Sequence, residues 1–213
     1  MANTLGHFGI KEVADVRFYE AGSIKVNPTT GAIEPVTGDA LPADYLEFTT
    51  LKVSNLEFTA EQSEARGGKG NAPLIIWDYG REVNITLEDA LLSVDCLREM
   101  FGGSKTDEAK GITIGANTFP GNYAVVGVTF ARDQETGDDH LFTFYVPNAK
   151  VGSEITLTME AEGDPTVFSM NLRALRASKT DDTMVALIPE VEKAYTKGEG
   201  ETSIFDQVVT TAQ

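Results

Sequence analysis

The stretch from Tyr45 to Gly103 constrains this chain more than any other, because a strand period and a helix period meet inside it. It reads YLEFTTLKVSNLEFTAEQSEARGGKGNAPLIIWDYGREVNITLEDALLSVDCLREMFGG, with the tetrapeptide LEFT at 46–49 and again at 56–59. Successive side chains of a strand point to opposite faces. Leu46, Phe48, Leu56 and Phe58 therefore fall on one face, and Glu47, Thr49, Glu57, Thr59 and Glu61 on the other. An antiparallel sheet with one packed face and one wet face has this pattern. The two LEFT segments read as the arms of a hairpin turning near Ser54–Asn55. Residues 62–73, QSEARGGKGNAP, lack periodicity and read as a loop. A strand starts at Leu74, bends near Asp78–Arg81 and resumes as EVNITL, with Val83, Ile85 and Leu87 inward and Glu82, Asn84 and Thr86 outward.

From Leu87 the period changes. Leu87, Leu91, Val94, Leu97 and Phe101 recur at i, i+4, i+7, i+10 and i+14, a single apolar helical stripe. Thr86 is placed to cap this helix, and Glu88 and Asp89 sit in a first turn where the helix dipole favours acids. Gly102–Gly103 ends it. The spacing predicts one amphipathic helix over about 87–101.

The rest of the chain is strand-like. Residues 13–21 alternate, and the Gly/Pro-rich 22–44 read as a turn and an extended loop with a short edge strand around Ile33. Residues 123–131 and 141–147 form a hairpin that is apolar on both faces, hence buried on both sides, beneath the helix. A last hairpin spans 153–175 and turns at 162–165. There Ile155, Leu157, Met159 and Ala161 alternate with Glu154, Thr156, Thr158, Glu160 and Glu162. Phe168, Met170, Leu172 and Ala174 return on one face, with Arg173 on the other placed to neutralise a neighbouring Glu. This gives an N-terminal arm (1–12), a β domain (13–175) and a C-terminal arm (176–213) with an apolar cluster at 184–191.

Charge narrows the function classes. With 17 Lys+Arg against 33 Asp+Glu the net charge is −16, which argues against phosphate-backbone and anionic-membrane binding. Cys96 is the sole cysteine, so an intrachain disulfide is impossible and a reducing cytoplasm fits. The N-terminus lacks the basic and apolar regions of a signal peptide, and no apolar run approaches the ~20 residues of a membrane span.

Each candidate chemistry fails on a specific requirement. RGGKGN at 66–71 lacks the GxxxxGK[ST] pattern between strand and helix that a phosphate loop needs. DQETGDD at 133–139 matches a calcium loop in composition only. His7 and His140 are far from Cys96 in sequence, giving no zinc set and no activated nucleophile. Glu154, Glu160 and Glu162 share a uniform Glu/Thr stripe, whereas acid–base pairs need unlike environments. The reading is of a non-enzymatic protein without cofactor or metal.

The succession EARGGKGNAPL, REVNITLEDALLS and a helix ending in FGG, followed by the closing hairpin EITLTMEAEGDPTVFSMNLRAL, resembles the major tail tube proteins of long-tailed (siphovirus-type) bacteriophages over roughly 13–175. The resemblance implies an antiparallel β-sandwich or partly open barrel with one flanking helix. It implies self-assembly into hexameric rings that stack into a hollow tube, through which genome DNA is ejected. The implied partners are other copies of the chain, a tape measure, a tail terminator and baseplate or tip proteins. DNA would pass without specific binding, and the location is the virion tail, assembled in the host cytoplasm.

A lumen lined with Glu and Thr repels a duplex and stays wet. On that ground Glu47, Glu57, Glu61, Glu154 and Glu160, with Glu82, are expected to face the lumen. Inter-ring contact is expected of the loop residues Glu64, Arg66, Gly67, Gly68, Lys69, Gly70 and Asn71, and of the N-terminal arm. Two other readings compete. One is the inner tube of a contractile tail or injection device. The other is a β-sandwich adhesion or carbohydrate-binding module, for which Trp77, inside an apolar strand, is a poor platform.

Overall fold

A computed structural model describes residues 7–38, 40–48, 50–89, 93–102, 104–105, 112–157, 168–189 and 205 of the chain. Most strands belong to one antiparallel sheet: β1 (Phe8–Ile10), β2 (Asp15–Glu20), β5 (Leu46–Phe48), β6 (Leu51–Gly67), β7 (Ala72–Asp89), β10 (Asn122–Asp133), β11 (Asp139–Leu157), β12 (Phe168–Ala174) and β13 (Ala186–Pro189). β3 (Ile24–Val26) pairs with β4 (Ile33–Pro35), and β8 (Ser104–Lys105) with β9 (Ile112–Thr113). The main sheet runs β5-β2-β10-β11-β12-β7-β6, with β1 added to β10 and β13 to β11. The helix α1 (Val94–Phe101) flanks it.

The path has a geometric consequence. β5 and β6 sit at its opposite ends, yet only residues 49–50 separate them in the chain. Three Cα steps keep Phe48 and Leu51 within about 11 Å. The sheet must therefore curl until its two ends nearly meet, which makes it a partly open barrel. Val16, Phe18, Phe48, Val83, Ile85, Leu87, Phe168, Met170 and Leu172, drawn from strands all along the path, share one core. Cys96 and Met100 carry α1 into that core, and the Tyr123 hydroxyl donates to the Glu99 carbonyl at 2.9 Å.

A second core lies on the other face of β2, β10 and β11. Tyr19, Ala124, Val126 and Val128 are covered there by Ile24 and Ile33 of the β3–β4 hairpin and by Phe205. Tyr123–Ala131 are thus buried without interruption, as the run of apolar residues on both faces required. The short strand expected around Ile33 is β4. The alternations expected at 82–87 and 168–174 hold residue by residue.

The structure corrects three expectations. First, no hairpin turns at Ser54–Asn55: β6 runs straight through for 17 residues. Its LEF segment pairs with β7, whereas Leu46–Phe48 pairs with β2. A two-residue hairpin turn needs positive φ at one or both of its residues, whereas the 18-residue β7 offers a continuous ladder. Phe58, placed inward by the pattern, is 51% exposed because it sits where β6 leaves the barrel.

Second, residues 62–73 are the end of a long β6–β7 hairpin rather than a loop, with its turn at 68–71. The expected bend at 78–81 is there, as a β-bulge: Thr59 opposes Glu82 while Glu61 opposes Tyr79, and Gly80 takes φ 60°. Third, the helix is shorter. β7 continues to Asp89, so Leu87 is a buried strand residue and Thr86 donates across the sheet to Asn171 at 2.9 Å. Cross-strand pairing with β12 overrides the helical period there. The cap is Ser93, whose side chain accepts from the Cys96 amide, and Gly102 closes the far end in the left-handed conformation. Leu91 lies outside the described residues. Within the N-terminal arm, β1 pairs with Ala131–Asp133.

Gly127 has no room for a side chain. It lies opposite Phe144, and a Cβ there would meet the ring at 2.0 Å. Gly127→Ala is expected to cost about 1–3 kcal/mol by overpacking, read as a lower midpoint in thermal or denaturant unfolding. An unchanged midpoint would show that Phe144 moves aside freely.

Candidate functional site

The outer part of the β6–β7 hairpin stands clear of the barrel. β12 accompanies β7 only over 84–89, and beyond it the hairpin has no strand partner on that side among the described residues. Leu74, Ile75, Ile76, Trp77 and Tyr79 are each more than half exposed. In a strand, Leu74 and Ile76 point one way, and Ile75 and Trp77 the other. This arm is therefore apolar on both faces, and contiguous exposed apolar surface marks interaction sites. The opposite arm carries Glu57, Glu61 and Glu64 in water. Gln62 of β6 donates across the hairpin to Asp78 of β7 at 2.8 Å, and Arg66 pairs with Glu64 along β6.

The residues expected to make inter-ring contacts lie at this hairpin's end. Glu64, Arg66 and Gly67 belong to β6, and Gly68, Lys69, Gly70 and Asn71 to the turn, where Gly68, Gly70 and Asn71 have positive φ. The chain leaves this turn as a strand, so RGGKGN has no helix N-terminus for a phosphate.

The expected lumen glutamates do not share one setting. Glu57 and Glu82 lie on the outward face of the barrel wall, opposite Asn84 and Thr59 respectively. Glu82 is ion-paired with Arg173 from β12. Asn55, Thr86 and Asn171 continue this polar face, and Glu61 follows Glu57 just beyond the bulge. Glu154 lies on β11 within an irregular register between Val151 and Ile155, and its side chain is outside the described set. Glu160 lies outside the described residues.

Glu47 is different. Its carboxylate accepts from Arg17 at 2.9 Å, and the Arg17 side chain is only 8% exposed. The Arg17 guanidinium is flanked by Tyr45 and Phe205, at 4.6 Å and 4.2 Å from the ring centroids. Asp15, two residues along β2, feels the same cluster. Burial and the Glu47 carboxylate push its pKa up to about 6, against the pull of Arg17. This aromatic and ionic cluster escaped the sequence reading because Arg17, Tyr45, Glu47 and Phe205 are far apart in the chain. The exposed apolar arm escaped it for another reason: LIIW without alternation reads equally well as a buried strand.

Among the described residues, no group of three or more His, Cys, Asp or Glu could hold a metal ion. No described helix is long and apolar enough to cross a membrane. Cys96 is buried beside Asp89, and burial first, then that carboxylate, pushes its thiol up to about 12. A model described as the YomU/Tube protein family matches residues 44–104 and 102–188, together more than half of the chain. The chain belongs to the YomU/Tube protein family. The matched segments contain the β6–β7 hairpin, α1 and the β10–β11 hairpin. No curated protein matches the chain. Tube-family membership, the β barrel and the projecting apolar arm agree with a structural, self-associating protein.

Two substitutions separate the glutamates of this tube protein. Glu47→Ala strands a buried cation and is expected to cost about 3 kcal/mol of stability, whereas Glu57→Ala on the wet face costs less than about 0.5 kcal/mol. Unfolding midpoints of the purified variants check this, and equal effects would refute the distinction.

Asp15 gives a pH test. Its folded pKa lies above the unfolded value of about 3.9. The folded state therefore holds the proton more tightly and loses stability as pH rises from about 4 through 6. Discounted for partial exposure, the loss is about 1 kcal/mol. Asp15→Asn should melt about 2–4 °C higher than wild type at pH 8 and match it at pH 4. A gain that is equal at both pH values would dismiss the linkage.

Proposed function

We propose that this chain is the repeating subunit of a bacteriophage tail tube. Six copies form a ring, rings stack into a hollow tube, and genome DNA passes along the lumen into the host. The observation that carries the reading is the β6–β7 hairpin, whose arm is apolar on both faces and projects from an otherwise acidic barrel. A lone subunit leaves both faces in water, whereas an arm inserted between neighbouring copies buries both. Among the described residues β6 also presents a long unpaired edge, which assembly would cover.

In this proposal the outward wall around Glu57 and Glu82, with Glu61, Glu154 and Glu160, lines the lumen. Its Glu, Asn and Thr side chains hold water and repel phosphate, so the duplex slides without binding. Glu47, at the other flank, neutralises Arg17 and so adds no net charge to that wall. The hairpin end, Glu64–Asn71, and the N-terminal arm join one ring to the next. The partners are other copies, a tape measure, a tail terminator and baseplate or tip proteins, in a virion tail assembled in the host cytoplasm.

Negative-stain microscopy and sedimentation of the purified protein test the reading. Wild type is expected to form rings and tubes, and the emission of Trp77, the sole tryptophan, to move to shorter wavelength as they form. Deleting 64–71 should leave a soluble, folded monomer with unshifted emission. Normal tubes from the deletion variant would sink the role of the hairpin, and a wild-type chain that stays monomeric at every concentration would sink the tube.

A further inference from the structure

At the base of the projecting hairpin the barrel leaves a groove of about 670 Å³. Arg81, Arg173, Arg176 and Lys179 line it, with Asn148 and Ser178. Four cations in one groove are out of proportion in a chain of net charge −16. Two are balanced internally, Arg173 by Glu82 and Arg176 by Asp182. Arg81 and Lys179 have no ion-pair partner among the described residues, which leaves the groove with an excess of two positive charges.

The groove is held in shape from both sides. Arg81 follows the bulge glycine, Gly80, on β7. On the other side the chain after β12 is pinned to β11: the Leu175 amide donates to the Asn148 carbonyl at 2.7 Å, and the Asn148 side chain donates to the Arg176 carbonyl at 3.0 Å. Lys179 then sits in a tight turn. The Ser178 amide donates to the Asp181 carbonyl at 3.1 Å, and the Ser178 hydroxyl oxygen accepts from the amides of Thr180 and Asp181.

We propose that this groove seats carboxylate side chains of a second copy of the chain. The proposal rests on the self-association argued above and names one contact that makes it. Each copy carries 33 Asp+Glu against 17 Lys+Arg and so brings a surplus of carboxylates to its neighbour. A groove of this volume takes a few side chains. Backbone binding of a nucleic acid instead needs a run of unpaired cations along a track, and the acidic body repels a duplex at longer range. Bringing two strongly acidic copies together costs repulsion at every other point of contact. An under-compensated cationic groove is where that repulsion reverses sign, and this fixes which surfaces meet.

The test is charge reversal with covalent capture. The Arg81→Glu/Lys179→Glu variant is expected to keep the wild-type circular dichroism and melting, yet to need at least tenfold more protein to assemble at about 0.15 M salt, where charges interact over about 8 Å. The conservative Arg81→Lys/Lys179→Arg variant is expected to assemble like wild type. Carbodiimide treatment of assembled wild type should yield a peptide joining Lys179 to an Asp or Glu of another copy, identified by mixing isotope-labelled and unlabelled chains.

Charge-reversed protein that assembles at the wild-type concentration overturns the groove contact and leaves the tube reading standing. So does a Lys179 cross-link found only within one chain. A wild type that never assembles removes both. A short DNA duplex retarded by wild type but not by the charge-reversed variant would assign the groove to phosphate and overturn the proposal.

Discussion

The two-residue link between β5 and β6 decides most of this architecture. Strands at opposite ends of a seven-strand path are tied within about 11 Å, so the sheet has to wrap. Wrapping separates an inside from an outside. Phe48 from one end and Val83 from the other can then share a core, and α1 supplies Cys96 and Met100 to it. The outward face is left to find other cover. Over β2, β10 and β11 it receives the β3–β4 hairpin and Phe205. Over β12, β7 and β6 it stays polar.

That division gives the acidic residues different work. Glu57 and Glu82 occupy a wet wall and can be changed at little cost to the barrel. Glu47 stands where the outward face is covered, and its charge holds Arg17 between two aromatic rings. Removing a partner from a buried pair is far more costly than removing a surface charge. A Glu/Thr stripe that looks uniform along the sequence thus combines wall residues with a structural ion pair.

The mainly β architecture, the inward alternation of Val83, Ile85 and Leu87, and the doubly buried Tyr123–Ala131 run were legible because each follows from local periodicity. The start of the helix was not. Leu87 satisfies both the strand period of 83–89 and the helical stripe, and only its register against Met170 of β12 decides between them. The span of the β6–β7 hairpin was hidden for a related reason. Glycines in RGGKGN mark a turn, but Glu, Gln and Ser before them carry no apolar alternation to show that the strand continues to Gly67. The Arg17 cluster depends on residues as far apart as 17 and 205, and no local pattern announces such a contact.

The exposed apolar arm and the acidic body belong to one physical problem. A subunit that polymerises must remain soluble as a monomer while carrying an arm that water disfavours. A long unpaired strand edge with apolar neighbours invites indiscriminate pairing. Among the described residues the unpaired edge is β6, whose outer half bears Glu57, Glu61 and Glu64, while the apolar side chains lie on β7, whose lower half is covered by β12. Charge thus guards the strand whose backbone is open, and apolar surface is concentrated on its partner. An approaching strand meets carboxylates first and is turned away unless it brings cations or buries the arm on both faces. An ordered neighbour can do both at once, whereas a random encounter cannot.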